Sequence, residues 1–278
     1  MNLLQILILA VVQGAAELLP VSSSAHVIVA EKLMGLDPTA PGLTLLLVML
    51  HTGTMFAVIL YFWQSWRDSW FATAADFRRN AINVLVATAA TGVVGLLLLK
   101  LIKRVVAHNA PDFEIEQLFG NARLMAAALA SAGVLIIVSA HLGQDHRGDM
   151  TRGRALWIGA VQGLCLPFRG FSRSGATIST GLALGVERRR AEEFSFALAV
   201  VLTPAVIVKE VLRLFKTPGA ALQGDWLSAL APGLLGMLLS FLAGLLALRW
   251  LSGWLEHGRW HFFGAYCLFA AVVVIIVG

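Results

Sequence analysis

The chain has 278 residues, of which 58% are hydrophobic and only 13% charged. Soluble domains average roughly 25% charged residues, so a soluble enzyme, a disordered tail and a disulfide scaffold are all poor readings. The net charge of +5, from 21 basic and 16 acidic residues, is scattered along an apolar chain and points to loops beside a membrane rather than to nucleic acid.

At about 20 apolar residues per membrane helix, this length holds no more than about eight or nine membrane segments. Met1-Asn2-Leu3-Leu4-Gln5 lacks the basic start of a cleaved signal peptide, so the first apolar stretch is expected to be mature structure. That stretch, 3 to 34, is cut near its middle by Glu17-Leu18-Leu19-Pro20-Val21-Ser22-Ser23-Ser24. Uninterrupted apolar runs follow at about 43 to 63, 81 to 101 and 122 to 140. Between the first two, Trp66, Trp70, Phe71, Phe77, Arg78 and Arg79 read as an amphipathic stretch resting at the membrane interface. A second interrupted stretch, 155 to 186, precedes three more runs at about 194 to 212, 228 to 248 and 262 to 277. Cys165 and Cys267 sit in apolar sequence and read as small hydrophobes, not as a disulfide.

The two interruptions are alike. Val12-Gln13-Gly14 answers to Val161-Gln162-Gly163, and Ser22, Ser24 and Gly35 fall 150 residues before Ser172, Ser174 and Gly185. An internal repeat is the economical account, with 1–141 and 154–278 as its copies in a single membrane domain. If each copy has one interrupted segment entering and leaving by the same side, plus three spans, the odd span count inverts the second copy. The expected fold is therefore an all-α integral membrane protein, an inverted repeat of about six transmembrane helices and two re-entrant helical hairpins, 3–34 and 155–186. In such plans the broken helices aim their half-helix N-termini at a common site near the midplane. Loop charge gives no orientation, because Lys100, Lys103 and Arg104, then Arg147, Arg152 and Arg154, then Arg188, Arg189 and Arg190 read as loops of alternating side.

Polar side chains inside these segments carry the chemistry. Gln13 and Glu17 are four apart, on one helix face, and a carboxylate at membrane depth costs roughly 2.5 to 3.5 kcal/mol on insertion scales. Glu17 therefore needs a partner or a water-filled cavity, unless it is an interfacial residue at a helix end. Ser22, Ser23 and Ser24 read as a turn opening a new helix, whose free N–H groups and hydroxyls make an anion cradle. His26 lies about one turn further on, near enough to exchange protons with a bound group. His51, His108, His141, His146, His257 and His261 lack such surroundings and read as structural. Gly170-Phe171-Ser172-Arg173-Ser174-Gly175-Ala176-Thr177 is a second cradle, holding a guanidinium matched to phosphate oxygens; the bland alternative for Arg173 is snorkelling to the interface. Arg169 reads equally well as an assistant or as a loop cation. One cation, many hydroxyl and amide donors, one carboxylate and one imidazole suit a phosphorylated ligand.

At these residues the sequence resembles the bacterial undecaprenyl-diphosphate phosphatases of the bacitracin-resistance type. One family signature matches Gln13, Glu17, Pro20-Val21-Ser22-Ser23 and His26, with Gln13 where the family also allows Glu. The other matches Gly170 to Thr177, and Glu193-Phe194-Ser195-Phe196 is also similar to the family. The family's Pro-Gly pair is here spread into Pro167-Phe168-Arg169-Gly170, which alters the turn into the second cradle.

The resemblance implies hydrolysis of undecaprenyl diphosphate to undecaprenyl phosphate and inorganic phosphate, which recycles the lipid carrier for peptidoglycan synthesis and confers bacitracin resistance. It implies a multi-pass protein of the bacterial inner membrane whose site opens outward, with a long-chain prenyl diphosphate lipid and the bilayer as partners and no nucleic acid; a homodimer is left open. In this reading Arg173, with Ser172, Ser174 and Thr177, clamps the diphosphate. Ser23 is the leading nucleophile, Ser22, Ser24 and Gln13 are phosphate donors, and Glu17 and His26 share general acid and base work. A divalent cation, Mg²⁺ or Ca²⁺, is expected, with Glu17 as its one candidate protein ligand and substrate oxygens supplying the rest; no organic cofactor is expected. The alternative, which paired broken helices also suit, is a secondary transporter or flippase of a phosphorylated lipid. The acid-phosphatase motif of other lipid phosphatases is disfavoured, since the chain has no Arg-Pro pair.

Overall fold

The computed structural model describes residues 1–37, 41–105, 121–142, 147–216 and 226–277; His108 and His146 lie outside the described residues. Among these described residues ten helices follow in chain order: α1 (Leu3–Leu18), α2 (Ser23–Leu33), α3 (Pro41–Ser69), α4 (Ala74–Val105), α5 (Ala122–His141), α6 (Arg152–Cys165), α7 (Arg173–Ala183), α8 (Arg188–Lys216), α9 (Trp226–Glu256) and α10 (Trp260–Val277). α3, α4, α5, α9 and α10 are long and apolar enough to cross a membrane, and α8 covers the remaining run. Large apolar side chains such as Leu96, Leu246 and Ile276 point outward, Ile276 with 78% of its surface exposed. In water such exposure would be costly; against lipid tails it is the ordinary outer face of a membrane helix. The protein is an all-α integral membrane protein.

Each interrupted stretch is a pair of short helices. α1 starts on Asn2, whose side chain accepts from the Gln5 amide while Gln5 reaches back to Asn2, a reciprocal cap. It stops before Pro20, which has no N–H to continue the ladder. α2 then runs back along α1, so that Ile6, Leu9 and Ala10 pack with Val27, Ala30 and Met34. In the second pair the flanks are joined directly. The Gly148 amide donates to the Gly185 carbonyl at 3.0 Å, and the Glu187 amide to the Gly148 carbonyl at 2.9 Å. The chain thus enters α6 and leaves α7 at one end, as a re-entrant hairpin requires.

The helices gather into two compact units. Unit 1 comprises Met1–Leu19, Ser23–Gln64 and Ala199–Leu251; unit 2 comprises Pro20–Ser22, Ser65–Leu198 and Ser252–Gly278. These boundaries cut across the halves 1–141 and 154–278, since unit 1 joins α1 to α3 with α9, while unit 2 joins α4 and α5 with α6, α7 and α10.

Small residues set the helix contacts inside each unit, as they do where lipid gives no hydrophobic drive between helices. In unit 1 a Cβ on Gly14 would stand 2.7 Å from the Ser240 carbonyl oxygen; in unit 2 one on Gly163 would stand 2.8 Å from the Thr91 carbonyl oxygen. The Gln-Gly pairs of α1 and α6 thus make the same kind of approach, one to α9 and the other to α4. Gly133 and Gly264 face each other between α5 and α10.

One expectation needs correction. The arginines read as lying on loops of alternating side share one end of unit 2: the hydrogen bonds between Gly148 and the 185–187 segment, and the Arg190–Asp149 pair at 3.9 Å, put Arg147, Arg152, Arg154 and Arg188 to Arg190 together. A re-entrant hairpin does not change sides. The stretch from Trp66 to Arg79 runs from the end of α3 through a turn into the start of α4. Trp66 is buried at the end of α3, its ring 6.0 Å from Trp70, which in turn contacts Phe194 at 6.4 Å. Phe71 and Phe77 do remain exposed, stacked at 5.6 Å around the turn into α4.

Candidate active site

In unit 1 the polar groups of α1, α2 and α3 converge on one atom. Glu17 Oε2 accepts a hydrogen bond from Ser23 Oγ at 2.6 Å and another from Gln13 Nε2 at 3.1 Å. The helical spacing of four puts Gln13 beside Glu17, and the turn at Pro20 folds α2 back so that its first residue, Ser23, meets the carboxylate. The 2.6 Å separation is that of a charge-assisted O–H···O⁻ bond. Gln13 is buried, whereas Glu17 and Ser23 are half-buried, so the hydroxyl and the carboxylate are more accessible than the amide.

The third group is one the sequence reading set aside. His51 Nε2 stands 3.7 Å from the same oxygen, and His51 Nδ1 contacts the Leu47 carbonyl oxygen at 2.8 Å. No local signal marks it, because His51 lies on an apolar helix 34 residues after Glu17 and only tertiary packing brings it to the carboxylate. His26 and Ser24 lie on the first turns of α2, half-buried.

The second cradle lies in unit 2. Ser172 caps α7, its Oγ accepting from the Gly175 amide at 3.2 Å, at a helix start of the kind that favours an anion. Arg173 is half-buried; Ser172 and Ser174 are buried. Thr177, expected to bind phosphate, is fully buried, and its hydroxyl donates to the Arg173 carbonyl at 2.8 Å and meets Ser195 Oγ at 2.6 Å. It braces the start of α7 from within. Arg169 is exposed in the turn before Gly170. At the other tip, Ser22 has φ 67°, a left-handed conformation uncommon outside glycine.

The segment Glu193-Phe194-Ser195-Phe196 supports this cradle. Ser195 holds Thr177, Phe194 and Phe196 are core residues, and the buried Glu193 accepts from Ser65 Oγ and, at 3.2 Å, from Arg189 Nε. Cys267 Sγ reaches the Pro20 carbonyl oxygen at 3.2 Å; both cysteines are free and buried.

The donor set does not fit a resident metal. Among the described residues no three His, Cys, Asp or Glu side chains are grouped to hold an ion.

Residues 6–273 match the family model described as bacitracin resistance protein BacA. Undecaprenyl-diphosphatase 2 of Acinetobacter baylyi is 63% identical over 99% of this chain and 98% of its own length. Undecaprenyl-diphosphatase 1 of Burkholderia pseudomallei is 35% identical over 98% and 95%, and the undecaprenyl-diphosphatase of Korarchaeum cryptofilum 29% identical over 99% of both chains. With nearly every residue inside the match, and both serine-rich helix starts among them, this chain belongs to the bacitracin resistance protein BacA family.

Proposed function

We propose that this protein hydrolyses undecaprenyl diphosphate to undecaprenyl phosphate and inorganic phosphate, returning the lipid carrier to peptidoglycan synthesis and thereby conferring bacitracin resistance. The observation that carries the chemistry is the 2.6 Å hydrogen bond from Ser23 Oγ to Glu17 Oε2, a nucleophile already in contact with its base. In this reading Ser23 Oγ attacks the terminal phosphorus and its proton passes to Glu17. The anhydride P–O bond breaks, and undecaprenyl phosphate leaves. Water then cleaves the phosphoserine, releasing inorganic phosphate, with His26 sharing the proton transfers. Arg173, with the N–H groups and serines of the α7 start, neutralises charge on the diphosphate. Any Mg²⁺ or Ca²⁺ enters on the diphosphate oxygens rather than in a protein cage.

The same reading places the protein in the bacterial inner membrane with its site open to the outer face and the arginine-rich end of unit 2 in the cytoplasm, in keeping with the positive-inside bias. The mass of the protein in detergent checks whether it is a monomer or a homodimer.

Phosphate release by purified protein in detergent is the test. With no second compartment present, a transporter or flippase releases none, whereas the phosphatase does. Arg173→Ala is expected to lose nearly all release while still inserting in the membrane, and wild-type turnover by that variant would remove Arg173 from its role. Quenched wild-type reactions are expected to contain phosphorylated Ser23. Its absence, together with substantial turnover by Ser23→Ala, would instead favour direct attack by water.

A further inference from the structure

We infer that His51 is a further substrate-contacting residue, its Nε2 meeting the phosphoryl group that reacts at Ser23; this rests on the hydrolytic reading above. The imidazole is fixed from behind. A carbonyl oxygen only accepts, so the 2.8 Å contact between Nδ1 and the Leu47 carbonyl places a proton on Nδ1 and turns Nε2 toward Glu17. The backbone beneath it is also held: Ser240 Oγ donates to the Leu50 carbonyl at 3.0 Å, Thr54 Oγ1 to the His51 carbonyl at 2.9 Å, and Gly53 packs against the Met237 carbonyl.

At 3.7 Å from Glu17 Oε2, Nε2 is too far for a hydrogen bond to that oxygen and close enough to share a ligand with it. Ser23 Oγ sits 2.6 Å from the same oxygen, so a phosphoryl group reacting at Ser23 comes within reach of the ring. The His51 side chain keeps 36% of its surface accessible and Glu17 18%, exposure that a purely structural histidine in a packed helix does not need. Nε2 accepts from a protonated phosphate oxygen in the neutral ring and donates to an ionised one as imidazolium; either way the contact is to phosphate. His141 and His257 make the same Nδ1 contact to a carbonyl four residues back, at 2.7 and 2.6 Å, but neither is paired with a carboxylate among the described residues, and so they provide matched controls.

The experiment measures phosphate release from undecaprenyl diphosphate in detergent for the wild-type, His51→Ala, His51→Gln, His141→Ala and His257→Ala proteins, with thermal unfolding of each. His51→Ala is expected to lower kcat/KM at least about tenfold with its unfolding midpoint kept. Added imidazole is expected to restore part of that loss, and the Gln side chain, which also offers a nitrogen donor and an oxygen acceptor, most of it. The two control variants are expected to match wild type. Undiminished kcat/KM in His51→Ala overturns the inference, as does a loss that neither imidazole nor Gln repairs and that accompanies a lowered midpoint. Absence of phosphate release from wild type itself would remove the hydrolytic reading, and the inference with it.

Discussion

At the residue scale, hydroxyl groups decide which side chains face a ligand and which hold the scaffold. A threonine hydroxyl has one proton, and Thr177 gives it to the Arg173 carbonyl, leaving its oxygen to accept from Ser195. Ser23 donates its hydrogen bond to Glu17 and remains half-buried. Thr177→Val and Ser195→Ala are each expected to cost about 1 kcal/mol of stability. They should be non-additive, because each removes the same bond; a thermal-unfolding cycle in detergent measures this. Full additivity would mean the Thr177–Ser195 bond contributes nothing.

At the scale of elements, both hairpin tips use backbone conformations that ordinary residues avoid. Gly170 has φ 100°, and a Cβ there would collide with the Met125 carbonyl, so the altered Pro167-Phe168-Arg169-Gly170 turn keeps its glycine where it is indispensable. Ser22 holds φ 67° without being glycine. Strain of this kind costs on the order of 1–3 kcal/mol and tends to gather at functional sites. A β-branched residue is the worst occupant of such a position, so Ser22→Val is expected to lower the unfolding midpoint and phosphate release together. Ser22→Gly is expected to keep or raise the midpoint, and a fall below that of Ser22→Val would show that the hydroxyl, not the conformation, matters there.

At the scale of the whole molecule, the grouping of charge motivates the orientation proposed above. Arg152, Arg154 and Arg188 to Arg190 stand together because hydrogen bonds close the α6–α7 hairpin at its base. The Asn83 side chain donates to the Met150 carbonyl at 3.3 Å, which brings the start of α4 to the same end. Lys103 lies twenty residues further along α4, about 30 Å away at 1.5 Å per residue. The arginine-rich end is the expected cytoplasmic one. In intact cells, a membrane-impermeant thiol reagent is expected to label Lys103→Cys and spare Arg152→Cys, the native cysteines being buried; the reverse pattern would invert the assigned orientation. The recurrence of a glycine approach in both units, at Gly14 and at Gly163, supports the proposed internal repeat.

The sequence by itself determined the solvent, the helices and the polar interruptions between them. Apolar runs longer than a bilayer is thick have one stable form, and Pro20 and the glycine-flanked Arg173 motif interrupt helices wherever they are placed. It also determined that Gln13 and Glu17 share a face, since helical spacing is local. The tertiary structure alone decided that His51 reaches Glu17, that Thr177 turns inward to Ser195, and that Trp66 is buried. It likewise decided that α9 packs with α1 while α4 packs with α6. Each of these depends on which helix lies beside which, and in a chain whose helices are nearly all apolar the hydrophobic pattern does not distinguish one neighbour from another; small residues and a few polar contacts make that choice.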